Sequence, residues 1–133
     1  GGHLAAMLFT TDWAALGLAR EPIAGAVSLS GVHDLAPMVQ FSFNADFRLD
    51  AAEAARMSPV ALPLRAPRPL LVACGGGETS EFLRQTHLLW DAWPQVRRPE
   101  AAPLIVPAAD HFSVLAEYAD PQSALTRATL GLF

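Results

Sequence analysis

Two ionisable side chains stand where a parallel α/β sheet gathers its chemistry. Glu78 follows the apolar run 69–74 and three glycines, Gly75, Gly76 and Gly77. His111 follows the apolar run 102–106 and a short loop ending in Asp110. Functional groups of such sheets collect beyond the carboxyl ends of the strands. The two residues are 33 positions apart, yet neighbouring strand ends would bring them within hydrogen-bond reach. A carboxylate that accepts a hydrogen bond from an imidazole N–H fixes its tautomer and stabilises its charged form. That is the back half of a nucleophile–histidine–acid triad.

Each of these residues also has a plainer reading. Glu78 could be a solvated carboxylate held by the dipole of the helix that follows, and His111 an ordinary loop histidine. Glu81, the rival acid, lies one turn further on and is expected to help cap that helix. His33 falls in a turn and His87 on a helix between Thr86 and Leu88, both structural by default. Ser28 and Ser30 are the serines to check as nucleophiles. Neither lies in a Gly-x-Ser-x-Gly turn, Ser28 is mid-strand, and both are set aside. The glycine run lacks a following Lys-Ser/Thr and reads as a turn, not a phosphate cradle. Cys74 reads as a small buried hydrophobe. Phe41, Phe43 and Phe47 belong either to a cap over a pocket or to the core, and the sequence does not separate the two.

The elements that must position Glu78 and His111 follow from the apolar pattern. Leu4, Met7 and Leu8 mark a helix starting near residue 1, with residues 13–18 extending or restarting it. Run 23–30 ends at Gly31 without alternation and fits a strand buried on both faces. Asp34 can cap a short helix through Met38. Residues 40–64 form an excursion with one or two short helices, broken by Pro59 and Pro63. The clearest strand is 69–74, followed by a helix that Thr79 or Ser80 can cap, with Phe82, Leu83, Leu89, Trp90 and Trp93 on its apolar face. A third strand, 102–106, precedes His111, and a last helix spans about 123–132. Alternating strands and helices imply a parallel sheet of about three strands flanked by helices.

Composition narrows the classes. Of 133 residues, 52% are hydrophobic and 17% charged, which excludes a disordered chain and allows one buried core. A net charge of −4 without a basic run argues against nucleic acid as a partner. No apolar run approaches the roughly 20 residues of a spanning helix, so no membrane partner is expected. One cysteine and four scattered histidines give no internal disulfide and no metal-ligand spacing, so neither metal nor cofactor is expected. The lone cysteine is compatible with a cytoplasmic protein. The chain opens Gly1-Gly2-His3 without methionine, and its native N-terminus is expected upstream.

Several segments, in order, resemble the esterase-type α/β-hydrolases. Gly1-Gly2-His3-Leu4-Ala5 looks like the end of their Gly-x-Ser-Ala-Gly-Gly-His-Leu-Ala nucleophile elbow. Ser30-Gly31-Val32-His33-Asp34-Leu35 resembles their Ser-Gly-x-x-Asp-Leu segment. Ser58-Pro59 and residues 67–71 resemble the approach to the acid-bearing strand. Glu78-Thr79-Ser80-Glu81-Phe82-Leu83-Arg84-Gln85 resembles the acid motif of the kynurenine formamidase (arylformamidase) group, and Asp110-His111-Phe112-Ser113 its catalytic histidine loop. The chain order, acid then histidine, is also that of this superfamily.

The resemblance implies that residues 1–133 are a single partial domain, the C-terminal part of an α/β-hydrolase fold. Its serine would lie two residues before Gly1, with His3 packed beside the elbow. Glu78 would be the triad acid and His111 the general base of a serine-type hydrolase of a small ester or amide. Without the serine and the upstream oxyanion loop, the chain by itself is expected to be inactive. A nearby alternative within the class is a general carboxylesterase or a peptidase of related fold; the alternative from another class is a non-catalytic α/β module completed by a partner, in which the strand at 23–30 has a covered edge. An uncovered edge there would favour association.

Overall fold

The computed structural model describes all of residues 1–133. Helix α1 (Gly2–Thr10) opens the chain, and strand β1 (Ala26–Leu29) follows after a stretch without regular structure. Residues 13–17 form turns and neither extend nor restart the helix. The excursion then carries a 3₁₀ turn (Ala36–Gln40), α2 (Asn44–Phe47), α3 (Ala51–Arg56) and a second 3₁₀ turn (Pro59–Ala61). Strand β2 (Leu70–Gly75) and helix α4 (Ser80–Ala92) form the centre of the chain. They are followed by β3 (Arg97–Arg98), β4 (Leu104–Val106), a 3₁₀ stretch (Ser113–Ala119) and α5 (Ala124–Leu130).

All strand pairings are parallel. β2 lies between β1 on one side and β3 and β4 on the other, with β3 against Leu70 and Leu71 and β4 against Ala73 to Gly75. Every residue of β2 is buried, as a non-alternating apolar run requires. β1 has a strand partner on the β2 side alone. The two-residue β3 has no apolar signature and was not legible in the sequence; its arginines pair through backbone groups.

Alternation along β2 divides the core into two layers. Leu70 and Val72 face α1 and α4, where they meet Ala6, Phe9, Leu89, Trp93 and Val96. The Phe9 and Trp93 rings stack with centroids 6.1 Å apart. Leu71 and Ala73 face the other way, toward Val106, Val114 and Leu125. The sheet is therefore flanked by helices on both faces, as expected. Strand ends depart from the apolar runs because a ladder needs a partner: Ala26 pairs with Leu70 and Leu29 with Ala73, leaving residues 23–25 below the start of β2. Phe41, Phe43 and Phe47 cluster with each other at the surface, 41–59% exposed, and belong to neither core layer. No helix is long and apolar enough to cross a membrane.

Candidate active site

The glycine turn after β2 delivers Glu78 just ahead of Thr79, the N-cap of α4. Glu78 is thus outside the first helical turn, and its side chain folds back over the strand ends with no solvent exposure. A buried carboxylate is costly unless its oxygens are hydrogen-bonded, and here three donors meet it. Oε1 accepts from the Gly75 amide at 2.8 Å and from the Ser30 hydroxyl at 2.5 Å. Oε2 accepts from His111 Nδ1 at 2.7 Å. The solvated-carboxylate reading of Glu78 does not hold.

The glycines are there because the two loops touch. A Cβ on Gly75 would lie 2.2 Å from the Ala109 carbonyl oxygen, closer than any atoms can pack. The Gly76 amide donates to the Val106 carbonyl at 2.8 Å and the Gly77 amide to that of Ala109 at 2.9 Å. The acid loop is thereby fastened to the histidine loop. On the other side of His111, Asp110 accepts from the amides of Phe112 and Ser113 and from the Ser113 hydroxyl. Those donors, the Ser113 amide first, hold its carboxyl below the ordinary range. Asp110 braces the loop and makes no contact with the imidazole through its own hydrogen bonds.

The His111 ring is half exposed and fixed on three sides. Glu78 takes Nδ1, Phe82 stacks on one face at 4.6 Å between centroids, and Phe112 meets it edge-on at 5.8 Å. A neutral imidazole whose Nδ1 donates to a carboxylate carries its lone pair on Nε2, and Nε2 has no protein partner. The ring lines a cavity of about 440 Å³ shared with Gly1, Gly2, Leu29, Val114 and Tyr118. Gly2 is held there by close approach, since a Cβ on it would lie 2.6 Å from the Leu29 carbonyl oxygen. The sequence-derived pair Glu78 and His111 is therefore brought together, and its open nitrogen shares a cavity with the first residues of α1.

Glu81 does not cap α4. It forms a two-pronged contact with Arg84 and accepts from Gln85 Nε2 at 2.7 Å, and Arg84 holds its carboxyl below the usual range. Gln85, fully buried, then accepts from the amides of His33 and Asp34, each at 2.8 Å, and donates to the Asp34 carbonyl. These three residues clamp loop 31–34 onto α4. Thr79 makes no side-chain cap either. His33 is more than a turn residue: it is fully buried, bonded through Nε2 to Ser28 Oγ at 3.1 Å. Burial, with a smaller contribution from His3, pushes its imidazole down to about 3. Ser28 Oγ also donates to the Gly2 carbonyl, which ties α1 to β1. His3 Nε2 pairs with the Met57 carbonyl and His87 Nδ1 with that of Leu83. Cys74 is a buried thiol, pushed up by desolvation. No three His, Cys, Asp or Glu side chains converge as a metal site would need. Ser30 is the site residue that sequence reasoning missed. It was weighed as a nucleophile, and the available signal was its place at the end of the strand beside the acid-bearing one.

No family model matches the chain. It is 28% identical over 135 residues to a kynurenine formamidase of Salmo salar, covering 98% of this chain and 46% of that protein. It is 29% identical over 140 residues to a kynurenine formamidase of Danio rerio, with 98% and 45% covered. Among solved structures it resembles a crystal structure described as a candidate thioesterase from Silicibacter sp. TM1040, with a TM-score of 0.79 and 30% identity over 96% of this chain and 46% of that one. The chain thus spans about half the length of the curated relatives it matches. Along nearly its whole length, it is similar to proteins named as hydrolases.

Proposed function

We propose that Glu78 and His111 are the acid and the general base of a serine-type acyl hydrolase acting on a small ester or amide. The observation that carries this reading is the 2.7 Å contact between Glu78 Oε2 and His111 Nδ1, with Nε2 left open on the cavity beside Gly1 and Gly2. The names of the relatives, formamidase and thioesterase, support carbonyl cleavage with a nitrogen or sulfur leaving group. The apolar walls supplied by Leu29, Phe82, Val114 and Leu115 favour a neutral, largely apolar acyl or aryl group.

The chemistry is a proton shuttle. In the complete polypeptide a serine hydroxyl, placed by the elbow resemblance two residues before Gly1, gives its proton to His111 Nε2 as its oxygen bonds to the substrate carbonyl carbon. Glu78 stabilises the imidazolium that results. Nε2 then returns the proton to the leaving nitrogen, oxygen or sulfur as the bond to it breaks. Water attacks the acyl-serine, again giving its proton to Nε2, which returns it to the serine oxygen as the carboxylic acid departs.

The test is hydrolysis of 4-nitrophenyl acetate, an aryl formamide and an acyl thioester by the complete polypeptide. Glu78→Gln should lower kcat by roughly four orders of magnitude, as loss of the acid does in the serine-protease triad. His111→Ala should lose at least as much. Parent-like turnover in either variant sinks the assignment. The preferred substrate of the three decides between esterase, formamidase and thioesterase.

A further inference from the structure

We propose that Ser30 is a positioning residue for the acid, holding the Glu78 carboxylate so that Oε2 faces His111; this rests on the hydrolase reading above. Ser30 directly follows β1, where its amide donates to the Ala73 carbonyl at 2.9 Å and prolongs the ladder with β2. At that point the backbone turns into the left-handed region, φ 50°. That region favours glycine over residues with a Cβ, and glycine stands next door at position 31. A strained non-glycine residue persists where its side chain has a task, and the hydroxyl of Ser30 has one. It is almost wholly buried and donates to Glu78 Oε1.

The geometry explains why this bond matters beyond simple satisfaction. The other donor to Oε1 is the amide of Gly75, three residues away on the same turn, which fixes how far the carboxylate reaches. Ser30 belongs to the neighbouring strand and approaches from across the sheet, so it fixes how the carboxylate is rotated about its own axis. An ionised carboxylate can only accept, so the hydroxyl proton is committed to Glu78 and Ser30 is no candidate for nucleophile. The remaining titratable groups around the pair are Asp110, whose carboxylate is occupied by the 112–113 amides, the Cys74 thiol behind the glycine turn, and His3 and Tyr118 on the cavity wall.

Two substitutions separate the hydroxyl from the fold. Ser30→Gly removes it and relieves the positive φ, whereas Ser30→Ala removes it and keeps the strain. In the complete polypeptide, with 4-nitrophenyl acetate as probe, both should lower kcat by about 10- to 100-fold, by analogy with groups that orient metal-ligating side chains. KM should be unchanged. The melting temperature should hold or rise for Ser30→Gly and fall for Ser30→Ala. Equal kcat losses with opposite stability changes mark a positioning role. An unchanged kcat in Ser30→Gly, or a loss confined to KM, overturns it. If Glu78→Gln and His111→Ala are inactive while Ser30→Gly is fully active, this inference alone fails; if those two also turn over normally, the hydrolase reading fails with it.

Discussion

Gln85 shows how much one polar side chain can hold in place. Its amide meets two backbone N–H groups, a carbonyl and the Glu81 carboxylate, and it is itself fully buried. Truncating it strands the amides of His33 and Asp34 away from water, and each orphaned donor costs about 1–3 kcal/mol. Gln85→Ala should therefore lower the unfolding free energy by about 2–6 kcal/mol in urea titrations, a range set by two such donors. A loss of a few tenths would show that loop 31–34 is held by something else. At this scale the sequence was informative where chemistry dictates residue type. Glu78 and His111 were legible because a buried acid–imidazole pair needs those side chains after two strands. Ser30 was singled out in the Ser-Gly-x-x-Asp-Leu segment, but its bond to the acid was not legible, because it depends on which carboxylate the neighbouring strand brings beside it.

The element that matters most is the turn between β2 and α4. It must carry an acid into the site while lying against loop 106–109, and the clearance at Gly75 admits no Cβ. Gly75→Ala should push the two loops apart, cost about 1–3 kcal/mol as overpacking does, and lengthen the Glu78–His111 contact. The checks are the melting temperature and kcat, which should fall together; a stable, fully active variant would mean the loops can yield. The apolar runs announced β1, β2 and β4 but overstated two of them, since 23–30 became Ala26–Leu29 and 102–106 became Leu104–Val106. Periodicity reports burial, whereas a strand ends where its partner does. The 3₁₀ stretch Ser113–Ala119, which brings Val114 into the core and Leu115 and Tyr118 to the cavity, gave no comparable signal. Its apolar residues fit several conformations over so short a span.

Across the whole molecule, the buried His33 sets a pH dependence of stability. Its imidazole titrates at about 3 in the folded protein and near 6.5 when unfolded. Below about pH 6.5 the unfolded chain binds the proton and the folded chain does not, so stability present at neutral pH is lost as pH falls. Once well below that value the loss approaches about 1.4 kcal/mol per pH unit for this one group. Urea midpoints at pH 7.5, 6.0, 5.0 and 4.5 should fall accordingly. In His33→Leu, which cannot take up the proton, the dependence should be shallower. An equal slope in both proteins would assign the effect to other groups. His33 sits between Ser28 and the Gly31 backbone, at the seam where α1, β1 and the 31–34 loop meet.

The sequence by itself determined the α/β class, the central strand and the placement of Glu78 and His111 beyond strand ends, because burial patterns and residue chemistry are local. Tertiary structure decided which atoms meet. It turned Glu78 away from solvent toward His111, gave Ser30 the carboxylate instead of a substrate, moved Glu81 from a cap to the Arg84–Gln85 clamp, and left the Phe41–Phe43–Phe47 cluster at the surface. The first two of these outcomes rest on contacts between residues 33 and 48 positions apart. Such contacts are set by strand register and close backbone approach, which no periodicity in a single sequence encodes.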